Sequence, residues 1–304
     1  MVYDVLILGG GAAGYTAALY AARAGLSALV LEKAAPGGQI TWAERVENYP
    51  GFPNGAEGPA LGESFRQCAE RFGAETVLTE VTAVSLMGKE KRLLTKQGDF
   101  FGKTLILAMG TAPGTLGLPD EERLRGRGIS YCASCDGMFF LDRVAVVVGG
   151  GNTALTDALT LSKLCREVHV VHRRAAFRGD KIYAAALAKR ENVIVHWNCR
   201  VTAIHGETAL EGVTVENIPS GMQRRLPCEG LFVCVGRVPN TQLVRGLVPM
   251  DEDGYLLARD TETPIPGVFA AGDIRKKPLR QVITAASDGA VAAHLAGEFL
   301  ALEQ

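Results

Sequence analysis

Two copies of one glycine-rich pattern constrain the fold of this 304-residue chain more than any other feature of its sequence. Residues 3–11 read YDVLILGGG and residues 143–151 read RVAVVVGGG, so an offset of 140 residues aligns them. Each copy runs from an aliphatic strand pattern through the glycines into a helical segment, and then into a second aliphatic strand. This order is typical of a nucleotide-binding βαβ unit, so the repeat predicts two such units.

The first copy contains the parts expected of a dinucleotide site. Gly9, Gly11 and Gly14 satisfy the spacing G-x-G-x-x-G, and Glu32 stands at the end of the second strand. Glycines permit a tight turn and let the backbone approach a pyrophosphate, while the acid accepts hydrogen bonds from ribose hydroxyls. A plain structural turn is the alternative, but the strand, helix, strand and acid together favour a dinucleotide site.

The second copy differs from the first at the end of its second strand. Where the first copy has Glu32, the second has the basic segment 172–174 (His-Arg-Arg), and Arg178 follows. A guanidinium group can bind a phosphate through two parallel hydrogen bonds, whereas an acid would repel a 2′-phosphate. The substitution therefore favours NADPH over NADH at the second site, with a solvated basic surface as the alternative.

A pair of cysteines lies between the two copies. Cys132 and Cys135 are separated by two residues, and Asp136 follows at once. Such a pair can close a small disulfide loop, and the adjacent acid can supply or remove a proton. A zinc site is one alternative, although no second pair of ligands stands at suitable spacing, and a reduced pair without a redox role is another.

Composition and charge exclude several classes of function. Hydrophobic residues make up 47% of the chain and charged residues 21%, and the formal net charge is −1, which argues against nucleic acid or an anionic membrane as a partner. No apolar run reaches the roughly 20 residues that span a bilayer. The first residues run directly into a strand pattern without a signal peptide, so we expect a cytoplasmic protein. The length of 304 residues predicts about two domains.

With these motifs named, the chain resembles the low-molecular-weight, bacterial-type thioredoxin reductases over essentially its whole length. The motifs that carry the resemblance occur in the same order as in that family. They are Gly9–Gly14, Gly37–Gln39, Val46–Gly51, Cys132–Gly137, Gly149–Ala154, His172–Arg178, and Gly267–Asp273 followed by Arg280 and Gln281.

The resemblance implies an α/β fold of two Rossmann-like, three-layer ββα nucleotide-binding domains. A discontinuous FAD-binding domain would comprise residues 1–114 and 242–304. The NADPH-binding domain, residues 115–241, would be inserted into it and would carry the dithiol. The family is homodimeric and alternates between two orientations of the inserted domain. Its members reduce thioredoxin or a thioredoxin-like protein.

The same resemblance assigns residues to each step. Cys135 would face the flavin, Cys132 would attack the partner disulfide, and Asp136 would act as the general acid–base group. The residues implied to contact FAD are Gly9, Gly11, Ala12, Gly14, Glu32, Lys33, Gly37, Gly38, Gln39, Asn48, Gly272, Asp273, Arg280, Gln281 and Val282. Those implied to contact NADPH are Gly149, Gly151, Asn152, Thr153, His172, Arg173, Arg174 and Arg178. Two glycines that end strands, Gly110 and Gly236, complete the predicted cofactor sites.

Some positions depart from the family pattern, and three different functions remain open. Thr156 and Asp157 stand where a glutamate pair is frequent, Ala13 where a proline is frequent, and Met109 where a threonine is common. A flavoprotein of the same fold could take electrons from ferredoxin or a second flavin, but such relatives tend to lose the second glycine motif or its arginines. An oxidase of small dithiols would share the Cys-x-x-Cys motif, and a redox-sensing protein could use FAD and the disulfide structurally.

Overall fold

The structure is a computed structural model that describes residues 1–43 and 45–303. The chain divides into two compact units, the first formed by Met1–Ala112 with Val238–Gln304 and the second by Pro113–Arg237. The second unit therefore interrupts the first in sequence, with the boundaries two to four residues before those expected from the sequence. Gln304, the last residue of the expected FAD-binding domain, lies outside the described residues. The assignment of FAD to one unit and NADPH to the other stays a prediction.

The described residues form the following elements. The strands are β1 (Val2–Leu8), β2 (Ala28–Glu32), β3 (Arg45–Val46), β4 (Ala56–Glu57), β5 (Glu75–Leu78), β6 (Val81–Ser85), β7 (Lys91–Thr95), β8 (Gly98–Leu107), β9 (Thr111–Pro113), β10 (Ile129–Ser130), β11 (Val144–Gly149), β12 (Glu167–His172), β13 (Val193–Trp197), β14 (Cys199–His205), β15 (Gly212–Asn217), β16 (Gln223–Pro227), β17 (Gly230–Cys234), β18 (Arg237–Pro239) and β19 (Val268–Ala270). The α-helices are α1 (Ala12–Arg23), α2 (Gly58–Glu70), α3 (Ala133–Asp136), α4 (Asn152–Leu161), α5 (Lys181–Leu187) and α6 (Val282–Leu302). Short 3-10 helices span Gly38–Trp42, Gly137–Phe140, Gln242–Val244 and Gly272–Ile274.

The first unit is built on a sheet with the order β5-β2-β1-β8-β7-β6, in which β19 also pairs with β8. The pairs among β5, β2, β1, β8 and β19 are parallel, and β7 pairs antiparallel with β8 and β6. Side chains alternate between the two faces of a strand. Val5 and Ile7 of β1 therefore pack against helices α1 and α6, while Leu6 and Leu8 pack on the opposite face.

The second unit repeats this arrangement around a parallel sheet with the order β10-β17-β11-β12-β13. Ala145 and Val147 of β11 pack against α4, whereas Val146 and Val148 face a core shared with the antiparallel sheet β14-β15-β16. Each unit thus has helices on one face of a parallel sheet and further strands or loops on the other. The predicted α/β fold with Rossmann-like units is confirmed.

The two glycine-containing repeats have the predicted structure. The first forms β1, α1 and β2, and the second forms β11, α4 and β12. Glu32 and His172 are the last residues of β2 and β12, respectively, so both stand at the carboxyl edge of a parallel sheet. That edge is where open α/β sheets bind their ligands.

The last helix is longer than its alanine-rich sequence predicts. The sequence predicts a helix over 285–300, whereas α6 spans Val282–Leu302. Its first turn is stabilised by a capping box: the Gln281 side chain accepts from the backbone of Thr284, and the Thr284 hydroxyl accepts from the Gln281 N–H at 3.1 Å. These two bonds satisfy N–H groups that the start of a helix otherwise leaves without partners.

Candidate active site and cofactor sites

The first glycine turn and the later glycine pair are in direct contact. The N–H of Gly37 donates to the Gly10 carbonyl at 2.7 Å, and Gly11 and Gly37 form an isolated parallel β-bridge. A Cβ at Gly38 would lie 3.2 Å from the Gly11 Cα, so the two backbones are almost as close as they can be. The structure therefore brings together two motifs that are about 25 residues apart in sequence.

Glu32 is oriented by the backbone around it. Its Oε2 accepts from the Gly10 N–H at 2.7 Å, and its Oε1 accepts from the Ala34 N–H at 2.9 Å. Each carboxylate oxygen has about two lone-pair sites, so each can accept a second hydrogen bond. The carboxylate at the end of β2 can therefore accept hydrogen bonds from ribose hydroxyls. The side chain of the adjacent Lys33 is exposed.

The other residues predicted to contact FAD also lie in the first unit. Gln39 Nε2 donates to the Thr111 carbonyl at 2.8 Å, beside Gly110, which has a φ of +61°. Asn48 Nδ2 donates to Gln281 Oε1 at 2.9 Å, so the loop after β3 is bonded to the start of α6. Arg280 donates to the Asp273 carbonyl at 3.4 Å, and its guanidinium lies 3.8 Å from the ring centroid of Tyr255 in a cation–π pair.

A buried charge network holds the turn that contains Gly272 and Asp273. Asp288, on α6, accepts from the Gly272 N–H at 2.9 Å and from both Arg275 and Lys277 at 2.8–3.0 Å. The side chains of Lys277 and Asp288 are only 5% and 8% exposed. Burial alone raises the pKa of Asp288, but the hydrogen bonds from Arg275 and Lys277 outweigh it, so the pKa is lowered from its ordinary value.

We expect Asp288→Ala to lower the free energy of unfolding by about 3 kcal/mol, because the buried Lys277 and the partly buried Arg275 both lose a hydrogen-bonded carboxylate. The lowered pKa means that the parent protein keeps this contribution above the unfolded pKa near 4 and loses it as the pH falls through the folded pKa. Urea unfolding at neutral and acidic pH measures both effects. Asp253→Ala, at an exposed aspartate of the same unit, is the control and should change little. Equal stability of the two variants would contradict the expectation.

In the second unit, the loop after β12 crosses the second glycine turn. The N–H groups of Arg178 and Gly179 donate to the Gly150 carbonyl at 2.7 and 3.0 Å. Asn152 and Asp180 exchange two hydrogen bonds, from Asn152 Nδ2 to the carboxylate at 2.9 Å and from the Asp180 N–H to Oδ1 at 2.7 Å. The side chains on the outside of this region are exposed. They are Thr153 on α4 and Arg173, Arg174 and Arg178 on the loop.

His172 is placed differently from the arginines that follow it. Its side chain is buried, its Nε2 lies 3.0 Å from the Ala176 carbonyl, and its ring packs against Phe177 and Trp197. Burial first, and then the nearby arginines, lower the pKa of His172, so it is neutral near pH 7. The histidine therefore supports the loop that displays the arginines. Its predicted contact with NADPH stays a prediction.

Both glycine turns fit the approach of a phosphate. A Cβ at Gly11 would have the Gly37 carbonyl oxygen as its nearest neighbour at 4.0 Å, and a Cβ at Gly151 would meet no atom of the described residues within 4 Å. Each glycine precedes the first turn of a helix, α1 or α4, where backbone N–H groups and the helix dipole favour an anion. Gly236 lies at the end of the second unit, where its carbonyl accepts from the Gly114 N–H at 2.9 Å.

The two cysteines of the central motif form a disulfide. Cys132 and Cys135 are joined with their Cα atoms 5.4 Å apart, and Cys132 is the N-cap of the short helix α3. Its Sγ accepts from the Cys135 N–H at 3.2 Å. The Ser130 hydroxyl lies 2.6 Å from Asp136 Oδ2, to which it donates, and it accepts from the Cys132 N–H at 3.1 Å. Ser130 therefore connects the predicted acid–base group to the dithiol backbone.

Two further residues near the dithiol were not selected as site residues from the sequence. Asp157 on α4 accepts from the N–H of Ala133, the residue after Cys132, and from the thiol of Cys234 at the end of β17. Burial raises the pKa of Asp157 to about 6. The sequence signal for Asp157 was its departure from the frequent glutamate pair, whereas Cys234 resembled any small buried residue.

Among the described residues, none of the helices has the length and apolar character needed to cross a membrane.

Comparison with known proteins shows similarity over nearly the whole chain. Residues 3–289 match the family model described as pyridine nucleotide-disulphide oxidoreductase. Over 303 residues, the chain is 43% identical to the bifunctional thioredoxin reductase/thioredoxin of Mycobacterium leprae, a match that covers 99% of this chain and 66% of that protein. It is 44% identical over 304 residues to a thioredoxin reductase of Streptomyces clavuligerus, covering 99% of this chain and 94% of that protein.

Among solved structures, the thioredoxin reductase of Lactococcus lactis matches with a TM-score of 0.94 and 36% identity, covering 98% of this chain and 99% of that one. The similarity thus extends through both units and the segments that join them. Because the family model and these relatives each cover nearly the whole chain, the chain belongs to the pyridine nucleotide-disulphide oxidoreductases and, among them, to the thioredoxin reductases.

Proposed function

We propose that this chain reduces the disulfide of thioredoxin, or of a thioredoxin-like protein, with electrons from NADPH delivered through FAD. The observation that carries the proposal is the Cys132–Cys135 disulfide, which lies in the same unit as a nucleotide motif followed by exposed arginines. The family to which the chain belongs implies a flavin and a pyridine nucleotide cofactor. The thioredoxin reductases of Mycobacterium leprae and Streptomyces clavuligerus support thioredoxin as the substrate.

FAD would be held by the first unit. The pyrophosphate would rest against Gly11 at the start of α1, and Glu32 would accept hydrogen bonds from the ribose. The contact between the turns at residues 9–11 and 37–38 supports this assignment, because it places both backbones beside the same helix start. The other proposed FAD contacts are Gly9, Ala12, Gly14, Lys33, Gly37, Gly38, Gln39, Asn48, Gly110, Gly272, Asp273, Arg280, Gln281 and Val282.

NADPH would be held by the second unit. The exposed guanidinium groups of Arg173, Arg174 and Arg178 would bind the 2′-phosphate, and the turn at Gly151 would accept the pyrophosphate. The hydrogen bonds from residues 178 and 179 to Gly150 keep the basic loop beside this turn. The other proposed NADPH contacts are Gly149, Asn152, Thr153, His172 and Gly236.

The protein's own residues would then complete the reaction at the dithiol. A flavin bound in the first unit would supply the two-electron chemistry that links the nicotinamide to the disulfide. Cys135 would be the flavin-facing sulfur, and Cys132 would attack the partner disulfide as a thiolate. Asp136, held by Ser130, would protonate the departing sulfur and later recover the proton.

We expect the double change Arg173→Ala and Arg174→Ala to raise the KM for NADPH about tenfold or more, because charge-assisted bonds to the 2′-phosphate are lost. The KM for NADH should change less than about threefold, since NADH lacks that phosphate. Steady-state kinetics with both nucleotides measures the difference. Arg166→Ala, which removes a cation before the start of β12, is the control. Equal changes in the two KM values would contradict a 2′-phosphate site.

The proposed function is tested by adding NADPH to the FAD-loaded protein without oxygen and then adding oxidised thioredoxin. Rapid loss of the flavin absorbance, followed by its return when thioredoxin is added, is the expected result. A flavin that stays oxidised with NADPH would instead favour ferredoxin or a second flavin as the donor. Flavin reduction without transfer to any of several thioredoxins would favour a small dithiol as the substrate.

A homodimer in the cytoplasm is also part of the proposal. Membership of the thioredoxin reductase family supports the dimer, and the state of the remaining cysteines supports the compartment. Among the described residues these are free thiols, as is usual in a reducing compartment: Cys68, Cys165, Cys199, Cys228 and Cys234. Sedimentation of the FAD-loaded protein tests the dimer directly.

A further inference from the structure

A carboxylate and a thiol that the proposed reaction does not use lie beside the helix that carries the dithiol. Asp157 Oδ2 accepts from the Ala133 N–H at 3.3 Å, and Ala133 directly follows Cys132. The same oxygen accepts from Cys234 Sγ at 3.4 Å. The contact joins α4 to the end of β17 across 77 residues of sequence.

The protonation states of this pair follow from its surroundings. Burial is the largest cause of the rise in the pKa of Asp157, while the bonds from Cys234 and Ala133 and the charge of Arg237 limit that rise. Burial and the charge of Asp157 raise the pKa of the Cys234 thiol well above its usual value, so this thiol stays protonated and remains a donor. Asp136, the acid that directly follows Cys135 in sequence, is bonded to Ser130 instead.

We propose that Asp157 is a positioning residue that sets the proton affinity of the Cys132–Cys135 dithiol, and that the Cys234 thiol holds its carboxylate in place. The proposal rests on the proposed role of this pair as the redox centre. Reduction of the disulfide by two electrons with uptake of one proton gives one thiol and one thiolate. An ionised Asp157, bonded to the backbone next to Cys132, disfavours that thiolate, whereas a neutral side chain does not.

The coupling has a defined dependence on pH. Below about pH 6, Asp157 binds a proton and exerts no charge on the dithiol. Above that pH, its negative charge raises the pKa of the attacking thiol, so the thiolate fraction increases less steeply than for an isolated thiol. The carboxylate would thus keep the reduced dithiol protonated through part of the neutral range.

Asp157→Asn tests this, because asparagine keeps the size and the carbonyl acceptor but removes the charge. The full-length protein is reduced with excess dithiothreitol, freed of it without oxygen and treated with iodoacetamide over a range of pH. Mass spectrometry of the peptide with Cys132 and Cys135 gives the alkylation rate. We expect equal rates for parent and variant at about pH 5, and a rate about tenfold higher for the variant at about pH 7.

Three further variants separate charge from structure. Glu191→Gln removes an exposed negative charge before the start of β13, and its alkylation profile should match that of the parent. Cys234→Ala removes the donor and raises the pKa of Asp157, so the difference from Asp157→Asn should begin at higher pH. Cys234→Ser should restore the parent profile, because a hydroxyl can also donate.

Identical profiles for the parent and Asp157→Asn would overturn the proposal. If Asp157→Asn does not fold, identical profiles for Cys234→Ala and Cys234→Ser would overturn it instead. Since dithiothreitol performs the reduction, the result does not depend on NADPH, FAD or thioredoxin. A protein that failed to reduce thioredoxin could still show the predicted difference, so the two proposals fail separately.

Discussion

Replacing Cys135 with serine is expected to lower the rate of NADPH-dependent thioredoxin reduction by at least about a thousandfold, because the two cysteines act together as one redox unit and neither can replace the other. A serine hydroxyl cannot form a disulfide with Cys132 and does not ionise near neutral pH, so no dithiol can be regenerated. We expect the same loss for Cys132→Ser. A coupled assay that follows NADPH consumption in the presence of oxidised thioredoxin measures the rate.

Retention of the flavin and a serine replacement at a cysteine outside the dithiol provide the controls. Both serine variants should retain the absorbance of FAD, because the proposed flavin contacts lie in the first unit and the dithiol lies in the second. Cys68→Ser, at an exposed free cysteine, should turn over thioredoxin at the parent rate. Turnover by Cys135→Ser at more than a small fraction of the parent rate would remove the dithiol from the proposed reaction.

The second large effect is expected for Gly14→Ala, which should strongly destabilise the first unit. A Cβ on Gly14 would lie 1.9 Å from the carbonyl oxygen of Gly9 and 3.3 Å from the Ile7 side chain. The oxygen belongs to the turn between β1 and α1 and cannot rotate away. We therefore expect a loss of about 3 kcal/mol or more in the free energy of unfolding. Denaturant unfolding and the soluble yield of the protein measure this loss.

Gly11→Ala provides a matched comparison in the same turn. Gly11 has a φ of −88°, which alanine adopts readily, and its Cβ would come no closer than 4.0 Å to the Gly37 carbonyl. We expect this variant to fold with nearly unchanged stability but to lose FAD on dialysis, because the methyl group would stand where the pyrophosphate approaches. A Gly14→Ala protein as stable as the parent, or a Gly11→Ala protein with normal FAD retention, would contradict the corresponding expectation.

The features that the sequence predicts well are those fixed by local pattern. The repeat of strand, glycine turn, helix and strand depends on hydrophobic periodicity and on glycine spacing, and both βαβ units occur as expected. The pairing of Cys132 with Cys135 also follows from residues that are close along the chain. Such features require only short-range geometry, which the residue types largely determine.

The features that the sequence does not reveal depend on strand order. β17 lies beside β11 in the sheet, which brings Cys234 to Asp157, and no spacing rule connects these two residues. The alignment of the two repeats, in which His172 corresponds to Glu32, correctly places His172 at the end of its strand. It does not predict that the imidazole ring is buried against Phe177 and Trp197. Asp288 likewise bonds to the Gly272 turn only because α6 packs beside that turn in the folded unit, a tertiary contact that no local pattern predicts.

The interruption of the first unit by the second determines when each can be completed during protein synthesis. The second unit ends at Arg237, so all of its strands have been made while the first unit still lacks β19 and α6. Until those segments emerge, one edge of β8 and the apolar face of α1 have no partner from the C-terminal segment. At about 5–20 residues per second, the roughly 170 residues between β9 and α6 take on the order of 10–35 s to synthesise. The nascent N-terminal segment must therefore remain soluble for that time, and its early β-strands are the part of the chain on which chaperones have the longest opportunity to act.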